Sequence, residues 1–252
     1  MNYLLEVRDI KKRYGHVRAL DGVDFGIRER EVVGLVGDNG AGKSTMAKIL
    51  MGVCPPDSGE IFYDGTRIKK LTIDKARELG IEMVYQKDAL CSLHAIWRNV
   101  FIGREIVRFG GFINVGKSRA ESERLIKEIG FGKDIDVNSV VTQLSGGERK
   151  GVAIARAMYF NQKLLILDEP TVALSVRECD KVMDFVLASR QRGTASIVIS
   201  HNLFQLYPVV DRLIVLERGK KIGDFSKDQV TVDELKDLVA RGKHLVDEAS
   251  PK

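Results

Sequence analysis

Cysteine is scarce in this sequence, and the few cysteines stand far apart. Only Cys54, Cys91 and Cys179 occur among 252 residues, and no two of them form a C-x-x-C pair. Zinc ribbons and disulfide frameworks need closely spaced or numerous cysteines, so the sequence favours neither kind of site. A reducing compartment such as the cytoplasm is the natural environment for this composition.

Long apolar runs are also missing. The longest, such as LLIL (164–167), have the length of a strand, whereas a membrane span needs about 20 consecutive apolar residues. The N-terminal MNYLLEVRDI lacks a cationic start followed by an apolar stretch. The sequence therefore predicts neither a signal peptide nor a membrane span, and a function at a membrane would require another chain as the anchor.

Charge of one sign is not concentrated anywhere. Lysine and arginine number 40 against 35 aspartates and glutamates, and the densest basic run is KKR (11–13). Such a scattered surplus is more typical of a solvated surface than of a nucleic-acid site. We therefore expect no nucleic-acid partner.

Two kinds of apolar pattern are present. Alternation in the first thirty residues predicts antiparallel strands with one wet face. Continuous apolar runs are typical of buried parallel strands, and helical segments lie between them. These runs are VVGLV (32–36), KLLILDE (163–169), SIVIS (196–200) and DRLIVLE (211–217). The pattern predicts an α/β fold with a mixed, mainly parallel central sheet and an N-terminal antiparallel β subdomain.

Strand signals fade between residues 87 and 144. KSRAESERLIKEIG (117–130) places Ala120, Leu125, Ile126 and Ile129 at helical spacing, with polar residues opposite. This pattern predicts an inserted helical subdomain whose apolar face is formed by these four residues. We expect one domain over residues 1–252. Its parts are an α/β core (1–86 and 145–225), the helical insertion (87–144), and a C-terminal helix and polar tail (226–252).

A glycine-rich loop, GDNGAGKST (37–45), follows the apolar run that ends at Val36. It fits G-x-x-x-x-G-K-[ST] between a strand and a helix, the context in which this motif binds nucleotide phosphates. Backbone N–H groups would surround the phosphates, Lys43 would neutralise charge, and Ser44 would offer a hydroxyl to Mg²⁺. The expected phosphate-binding residues are Gly37, Asp38, Asn39, Gly40, Ala41, Gly42, Lys43, Ser44 and Thr45. The alternative is a glycine-rich turn with an incidental lysine.

Two carboxylates end the strand KLLILDE. The carboxyl end of a strand is where open α/β sheets bind ligands, so Asp168 is expected to hold Mg²⁺ through water. Glu169 follows directly and could accept a proton from the water that attacks the γ-phosphate. Without the lysine loop, this pair would be interpreted as a solvated turn.

A second glycine motif, LSGGE (144–148), opens a helix about a hundred residues after the first. Free N–H groups at a helix start can bind an anion, although an isolated Ser-Gly-Gly is more often a simple cap. The chain's own phosphate already occupies the start of another helix. The motif is therefore expected to complete the site of a second copy.

Over about residues 3–225 these motifs resemble the ATP-binding cassette of ABC transporters, in the family's order and spacing. The resemblance implies ATP with Mg²⁺, hydrolysis of ATP, and a head-to-tail dimer with a second copy of the chain or with a related cassette. In such a dimer Ser145, Gly146 and Gly147 bind the partner's γ-phosphate. TVALS (171–175) matches a loop that crosses the interface, but Ser175 stands where many members have aspartate.

The resemblance also assigns three single residues. Tyr14 matches the aromatic that stacks on adenine, although it could equally pack on its own sheet. Gln86 matches a glutamine that touches Mg²⁺ and the attacking water. His201 matches the histidine that contacts the γ-phosphate and supports Glu169, with Lys43 completing the catalytic set.

Within the family the sequence looks most like the cassettes of ribose-, xylose- and fructose-type sugar importers. This implies an ATPase at the cytoplasmic face of the membrane, bound to permease subunits and served by an extracytoplasmic solute-binding protein. Trp97 and Phe101 are candidates for the groove that receives the permease, although core packing of the helical insertion is the role the sequence favours for each of them. The other readings are an importer of another solute, such as a nucleoside or amino acid, a DNA-repair or translation ATPase of the same fold, and a soluble kinase.

Overall fold

A computed structural model describes residues 3–86, 89–130, 135–160 and 162–241. The strands are β1 (Leu5–Tyr14), β2 (Val17–Ile27), β3 (Val32–Val36), β4 (Ser58–Tyr63), β5 (Thr66–Ile68), β6 (Ile81–Val84), β7 (Leu164–Asp168), β8 (Ala195–Ile199), β9 (Arg212–Glu217) and β10 (Lys220–Ser226). The α-helices are α1 (Lys43–Leu50), α2 (Ile73–Glu78), α3 (Ile96–Phe101), α4 (Val115–Ile129), α5 (Gly146–Met158), α6 (Val176–Gln191), α7 (Leu203–Leu206) and α8 (Val232–Arg241).

The N-terminal part forms a four-stranded antiparallel sheet in the order β2-β1-β4-β5. Leu5, Val7 and Ile10 are buried, while Arg8 and Asp9 between them are exposed. The predicted antiparallel subdomain is confirmed.

The central sheet has six strands in the order β10-β9-β3-β8-β7-β6. The strands from β9 to β6 are parallel to their neighbours, and β10 runs antiparallel to β9. Each of β3, β7 and β8 has five residues, and all five are buried in each strand. Such burial is typical of continuous apolar runs in a sheet that is covered on both faces. The predicted fold class is confirmed, and the carboxyl ends of β3, β7 and β8 meet at one edge.

The two faces of the central sheet pack against different layers. Val33, Leu35 and Ile166 belong to a core shared with the antiparallel sheet and α1. Val32, Val36 and Leu165 point to the other face, in a core shared with α5, α6 and the helical insertion. Alternate residues of the same strands thus connect the two subdomains through one sheet.

The helical insertion contains α3 and α4, which pack on α5. Helix α4 begins two residues before the predicted segment, at Val115, where the Asn114 side chain accepts from Lys117 N at 3.1 Å. The expectation that Ala120 faces the core is wrong, because Ala120 is exposed. The buried stripe runs instead through Ser118, Ser122, Leu125, Ile126 and Ile129.

Two aromatic residues of α3 are buried. Trp97 is 5% exposed and Phe101 is 1% exposed, and the Phe101 ring meets the Tyr159 ring edge-on at 4.7 Å between centroids. Both side chains pack in the core of the insertion, which is the role that the sequence favoured for them over lining a permease groove.

An ion pair joins the insertion to the edge of the central sheet. Arg104, just after α3, donates to both carboxylate oxygens of Glu82 on β6, at 2.5 and 3.0 Å. The Arg104 guanidinium also lies 3.2 Å from the centroid of the Phe160 ring. Within the described ranges, none of the helices is both long enough and apolar enough to cross a bilayer.

Candidate nucleotide site

The glycine-rich loop connects β3 to α1 in a conformation that needs glycine at two positions. Gly37 has φ +147° and Gly42 has φ +106°. A Cβ at Gly37 would overlap the Leu216 carbonyl oxygen, and one at Gly42 would overlap that of Ala19. The loop therefore packs tightly against β9 and β2, and this packing sets its shape before any ligand binds.

Lys43 is buried beneath this loop. Its Nζ donates to the carbonyl oxygens of Gly37 at 2.8 Å and Asp38 at 2.9 Å. Burial lowers the pKa of the Lys43 ammonium, and the nearby carboxylates of Glu169 and Asp168 oppose that shift. The ammonium is thus fixed inside the loop by bonds that place its charge beside the space the loop encloses.

Ser44 and Asp168 come together from α1 and β7. Ser44 Oγ donates to Asp168 Oδ1 at 3.1 Å. Burial raises the pKa of Asp168, against the effects of the Ser44 hydrogen bond and the Lys43 charge. A hydroxyl and a buried carboxylate at this spacing form an oxygen donor set that suits Mg²⁺, which usually takes one or two protein carboxylates together with substrate phosphates.

Glu169 lies next to that pair in a strained backbone conformation. Its φ of +49° is in the left-handed region, which costs a non-glycine residue about 1–3 kcal/mol and is concentrated at functional sites. Its N–H donates to Ile199 O at 2.9 Å, and its Oε2 lies 2.8 Å from His201 Nδ1. The turn after β7 therefore points the carboxylate at the histidine that follows β8.

Two cavities flank these residues. One of about 280 Å³ lies between the glycine-rich loop and the β2 residues Val17 and Ala19. The other, of about 480 Å³, contains Gly37, Asp38 and His201 in its wall and reaches Val239 on α8. Asn39, Gln86 and Glu169 line both cavities, so the exposed Gln86 side chain borders the same spaces as the glycine-rich loop and the Glu169 carboxylate.

Tyr14 lies at the end of β1, close to the end of the same loop. Its ring is half exposed, and its hydroxyl is 3.5 Å from Cys54 Sγ. The contact with Cys54 and burial of the hydroxyl raise the pKa of Tyr14 to about 12, while a hydrogen bond with Thr45 opposes the shift. The exposed ring thus lies near Thr45 at the end of the glycine-rich loop, although Tyr14 lines neither cavity.

The second glycine motif lies apart from the first. Ser145 Oγ accepts from Glu148 N at 3.2 Å, and Glu148 Oε2 accepts from Ser145 N at 2.8 Å, which is a capping box at the start of α5. Ser145 and Gly146 are exposed, whereas Gly147 is buried. Among the described residues that line the two cavities, none comes from 145–147. One chain therefore does not bring the two glycine motifs together.

Glu178 links the second motif to the loop 171–175, a role that the sequence analysis missed. Its Oε2 accepts from Ser175 N at 2.8 Å and Ser175 Oγ at 2.7 Å. Its Oε1 lies where a Cβ of Gly147 would stand. The S-x-x-E spacing of residues 175–178 could have indicated the cap, but the contact with Gly147 depends on how α5 and α6 pack.

Comparison with known proteins identifies the family. The family model described as ABC transporter matches residues 20–172, more than half of the chain. The chain belongs to the ABC transporter family. It is an ATP-binding cassette, and its enzymatic activity is ATP hydrolysis.

The relatives of this cassette include two import proteins and a solved dimer. The xylose/arabinose import ATP-binding protein XylG of Sulfolobus acidocaldarius is 42% identical, over 95% of this cassette and 94% of XylG. The fructose import ATP-binding protein FrcA of Rhizobium meliloti is 40% identical, over 87% of this cassette and 86% of FrcA. The dimeric structure of an ATP-binding cassette in a post-hydrolysis state, bound to ADP and Pi, has a TM-score of 0.79 at 26% identity. It covers 88% of this cassette and 98% of its own chain.

Proposed function

We propose that this cassette is the ATP-hydrolysing subunit of an importer for a small solute, and that the solute is a monosaccharide. XylG and FrcA are similar to this cassette over 94% and 86% of their own lengths. XylG is a xylose/arabinose import ATP-binding protein, and FrcA is a fructose import ATP-binding protein. The observation that supports ATP hydrolysis most directly is the Glu169–His201 contact beside Lys43, Ser44 and Asp168.

The phosphates of ATP would bind in the glycine-rich loop. The backbone N–H groups at the start of α1 and the Lys43 ammonium would neutralise charge on the β- and γ-phosphates. Ser44, Gln86 and Asp168 would hold Mg²⁺, which supplies charge neutralisation when it is bound. Tyr14 would stack on the adenine.

Glu169 would accept the proton of the attacking water. Its carboxylate lies at the wall shared by the two cavities, and His201 Nδ1 fixes the orientation of Oε2. A base positioned within hydrogen-bond reach of the attacking water typically contributes about 10²–10⁴ in rate. His201 would also contact the γ-phosphate, which its exposed ring is free to reach.

A second copy would complete each site. Ser145, Gly146 and Gly147 would bind the γ-phosphate held by the partner's loop. Ser145 and Gly146 are exposed, and none of the three residues lines the two cavities of its own chain. The dimeric cassette with ADP and Pi among the similar structures supports this arrangement. ATP would then act as the ligand that closes the dimer.

Transport would require permease subunits in the membrane, with the cassette bound peripherally at their cytoplasmic face and a solute-binding protein outside. Uptake of radiolabelled xylose, arabinose, fructose and ribose, compared between a strain lacking the gene and the same strain complemented, tests this function. We expect wild-type cassette to restore uptake of at least one sugar and Glu169→Gln to restore none.

A detergent extract of the complemented strain gives a second measurement. A tagged cassette should co-purify with an integral-membrane permease in a ratio of two cassettes to each permease pair. Unchanged uptake of all four sugars in the deletion strain would contradict the choice of solute. Purification of the cassette without any integral-membrane partner would contradict transport itself.

A further inference from the structure

The segment that follows β6 is held by cationic side chains of α5. Lys150 Nζ donates to the Tyr85 carbonyl oxygen at 3.3 Å and to the Gln86 carbonyl oxygen at 3.2 Å. Arg156, further along the helix, donates through Nη1 to Ala89 O at 2.8 Å. Residues 87 and 88 lie outside the described residues. The backbone before them, at Gln86, and the backbone after them, at Ala89, are therefore both bonded to α5.

Lys150 is only 3% exposed. Burying an ammonium is costly unless hydrogen bonds replace its water, and here backbone carbonyls supply two of them. Charge-assisted hydrogen bonds are about twice as strong as neutral ones. Lys150 therefore bonds the backbone of Tyr85 and Gln86 to α5, whereas the Gln86 side chain is exposed and lines both cavities.

The same helix begins at the second glycine motif. Ser145 caps α5, and Lys150 lies five residues further along, about 7.5 Å in axial rise. A stretch of about one and a half helical turns thus has the half-site for the partner's ATP at its start and the Gln86 contact on its buried side. A shift of the Gln86 backbone, when its side chain engages ATP, would move the start of the helix with it.

We infer that Lys150 is a positioning residue that transmits nucleotide binding at a chain's own site to the half-site it presents to its partner. The inference rests on the proposed function, since it assumes that Gln86 meets bound ATP and that residues 145–147 meet the partner's. It adds a defined connection between the two sites of the dimer. Removing the ammonium should leave ATP binding to one chain intact and weaken the closing of the dimer.

The test uses Glu169→Gln as the parent protein, so that ATP is not consumed. A fluorescent ATP analogue measures binding to the single chain at low protein concentration, and sedimentation velocity with Mg²⁺ and ATP measures the dimer dissociation constant. Lys150→Met should bind the analogue within about twofold of the parent and dimerise on the order of tenfold more weakly, a typical coupling between linked sites. Lys150→Arg, which can still donate to two carbonyls, should dimerise within about threefold of the parent.

Two further variants make the result decisive. Lys127→Met removes the same charge from an exposed position on α4 and should behave as the parent does. Lys150→Gln keeps N–H donors without the charge. If Lys150→Met fails to bind the analogue, the dimer affinity of Lys150→Gln is compared with that of the parent instead. We expect Lys150→Gln to dimerise more weakly than the parent while binding the analogue normally.

The inference is overturned if Lys150→Met or Lys150→Gln binds the analogue and dimerises as tightly as the parent. It is also overturned if Lys150→Arg loses as much dimer affinity as Lys150→Met, since carbonyl contacts would then not be the cause. A parent protein that binds no ATP or never dimerises would instead contradict the proposed function, so the two failures are distinguishable.

Discussion

Glu169 and His201 meet at the edge of the central sheet, with 2.8 Å between Oε2 and Nδ1. The two residues follow neighbouring parallel strands, β7 and β8, so strand pairing places them side by side. The left-handed φ of Glu169 turns its carboxylate toward the histidine. Strain of this kind persists only where the surrounding structure fixes it, and here the Glu169 N–H bond to Ile199 O does so.

Glu169→Gln should abolish turnover without abolishing ATP binding. The amide has nearly the same shape as the carboxylate, but it cannot accept a proton from water, so the rate should fall by about 10²–10⁴. Phosphate release measures turnover, and sedimentation should reveal a dimer that persists with ATP. Glu123→Gln, at an exposed position on α4, is the matched control, and a near-normal rate in Glu169→Gln would show that another group is the base.

Asp168→Asn should stabilise the nucleotide-free protein at neutral pH. Burial raises the pKa of Asp168, so the folded chain holds this proton more tightly than the unfolded chain does. The contribution of Asp168 to the free energy of unfolding therefore falls as the pH rises through that pKa. The asparagine variant lacks this loss, so its melting temperature should exceed that of wild type by a few degrees, with about 1 kcal/mol giving about 2–4 °C in a chain of this size.

Calorimetry at several pH values checks this result. The difference between Asp168→Asn and wild type should shrink as the pH approaches about 4, where the carboxyl of the unfolded chain is also protonated. Asp184→Asn, which removes a carboxylate from an exposed position on α6, is the matched control. Addition of Mg²⁺ and ATP should raise the melting temperature of wild type and not that of Asp168→Asn. A variant less stable than wild type at pH 7 would contradict the argument.

The parts of this site that could be predicted from sequence are those set by local backbone demands. Gly37 and Gly42 are required because a side chain there would overlap a carbonyl oxygen, and the motif encodes both positions. The continuous runs of β3 and β7 were equally informative, because a strand covered on both faces carries apolar residues at successive positions. The capping box at Thr231 and Glu234 was also predictable, and both side chains make the expected contacts with the start of α8.

What the sequence did not reveal depends on packing between distant segments. Strand β10 was missed because only Ile222 of its seven residues is buried, so it has no apolar pattern to recognise. Ala120 was assigned to the core because helical spacing cannot tell a buried serine from an exposed alanine. Lys150 would pass for a solvated lysine, since a charge in a sequence gives no sign of the carbonyls that accept its hydrogen bonds.

Arg104→Met should destabilise the cassette strongly, because it leaves the Glu82 carboxylate buried without its partner. Glu82 is 5% exposed, and removing one member of a buried ion pair typically costs about 3–5 kcal/mol. Urea denaturation measures the change in the free energy of unfolding. Adding Glu82→Gln to Arg104→Met should recover part of the lost free energy of unfolding, because the amide carries no charge to bury. If nothing is recovered, the loss comes from the Phe160 contact and not from the unpaired carboxylate.

Gly147→Ala should destabilise the chain through Glu178, not through the helix in which it lies. An added Cβ would overlap Glu178 Oε1 and displace the carboxylate that accepts both hydrogen bonds from Ser175. Because the end of the Glu178 side chain can swing aside, the cost should be that of the lost cap, on the order of 1 kcal/mol. Gly146→Ala is the matched control, because a Cβ there has its nearest neighbour, Ala173 O, at 4.0 Å, and alanine favours the helix.

The double variant separates the clash from other effects of the methyl group. Glu178→Ala alone should cost on the order of 1 kcal/mol, the usual value for losing a cap. Gly147→Ala combined with Glu178→Ala should cost no more than Glu178→Ala, since the methyl group then fills vacated space. The coupling energy from this cycle, measured by urea denaturation, should be about as large as the cost of Gly147→Ala itself. Strictly additive losses would mean that Glu178 and Gly147 act independently and that α5 and α6 are not joined through this contact.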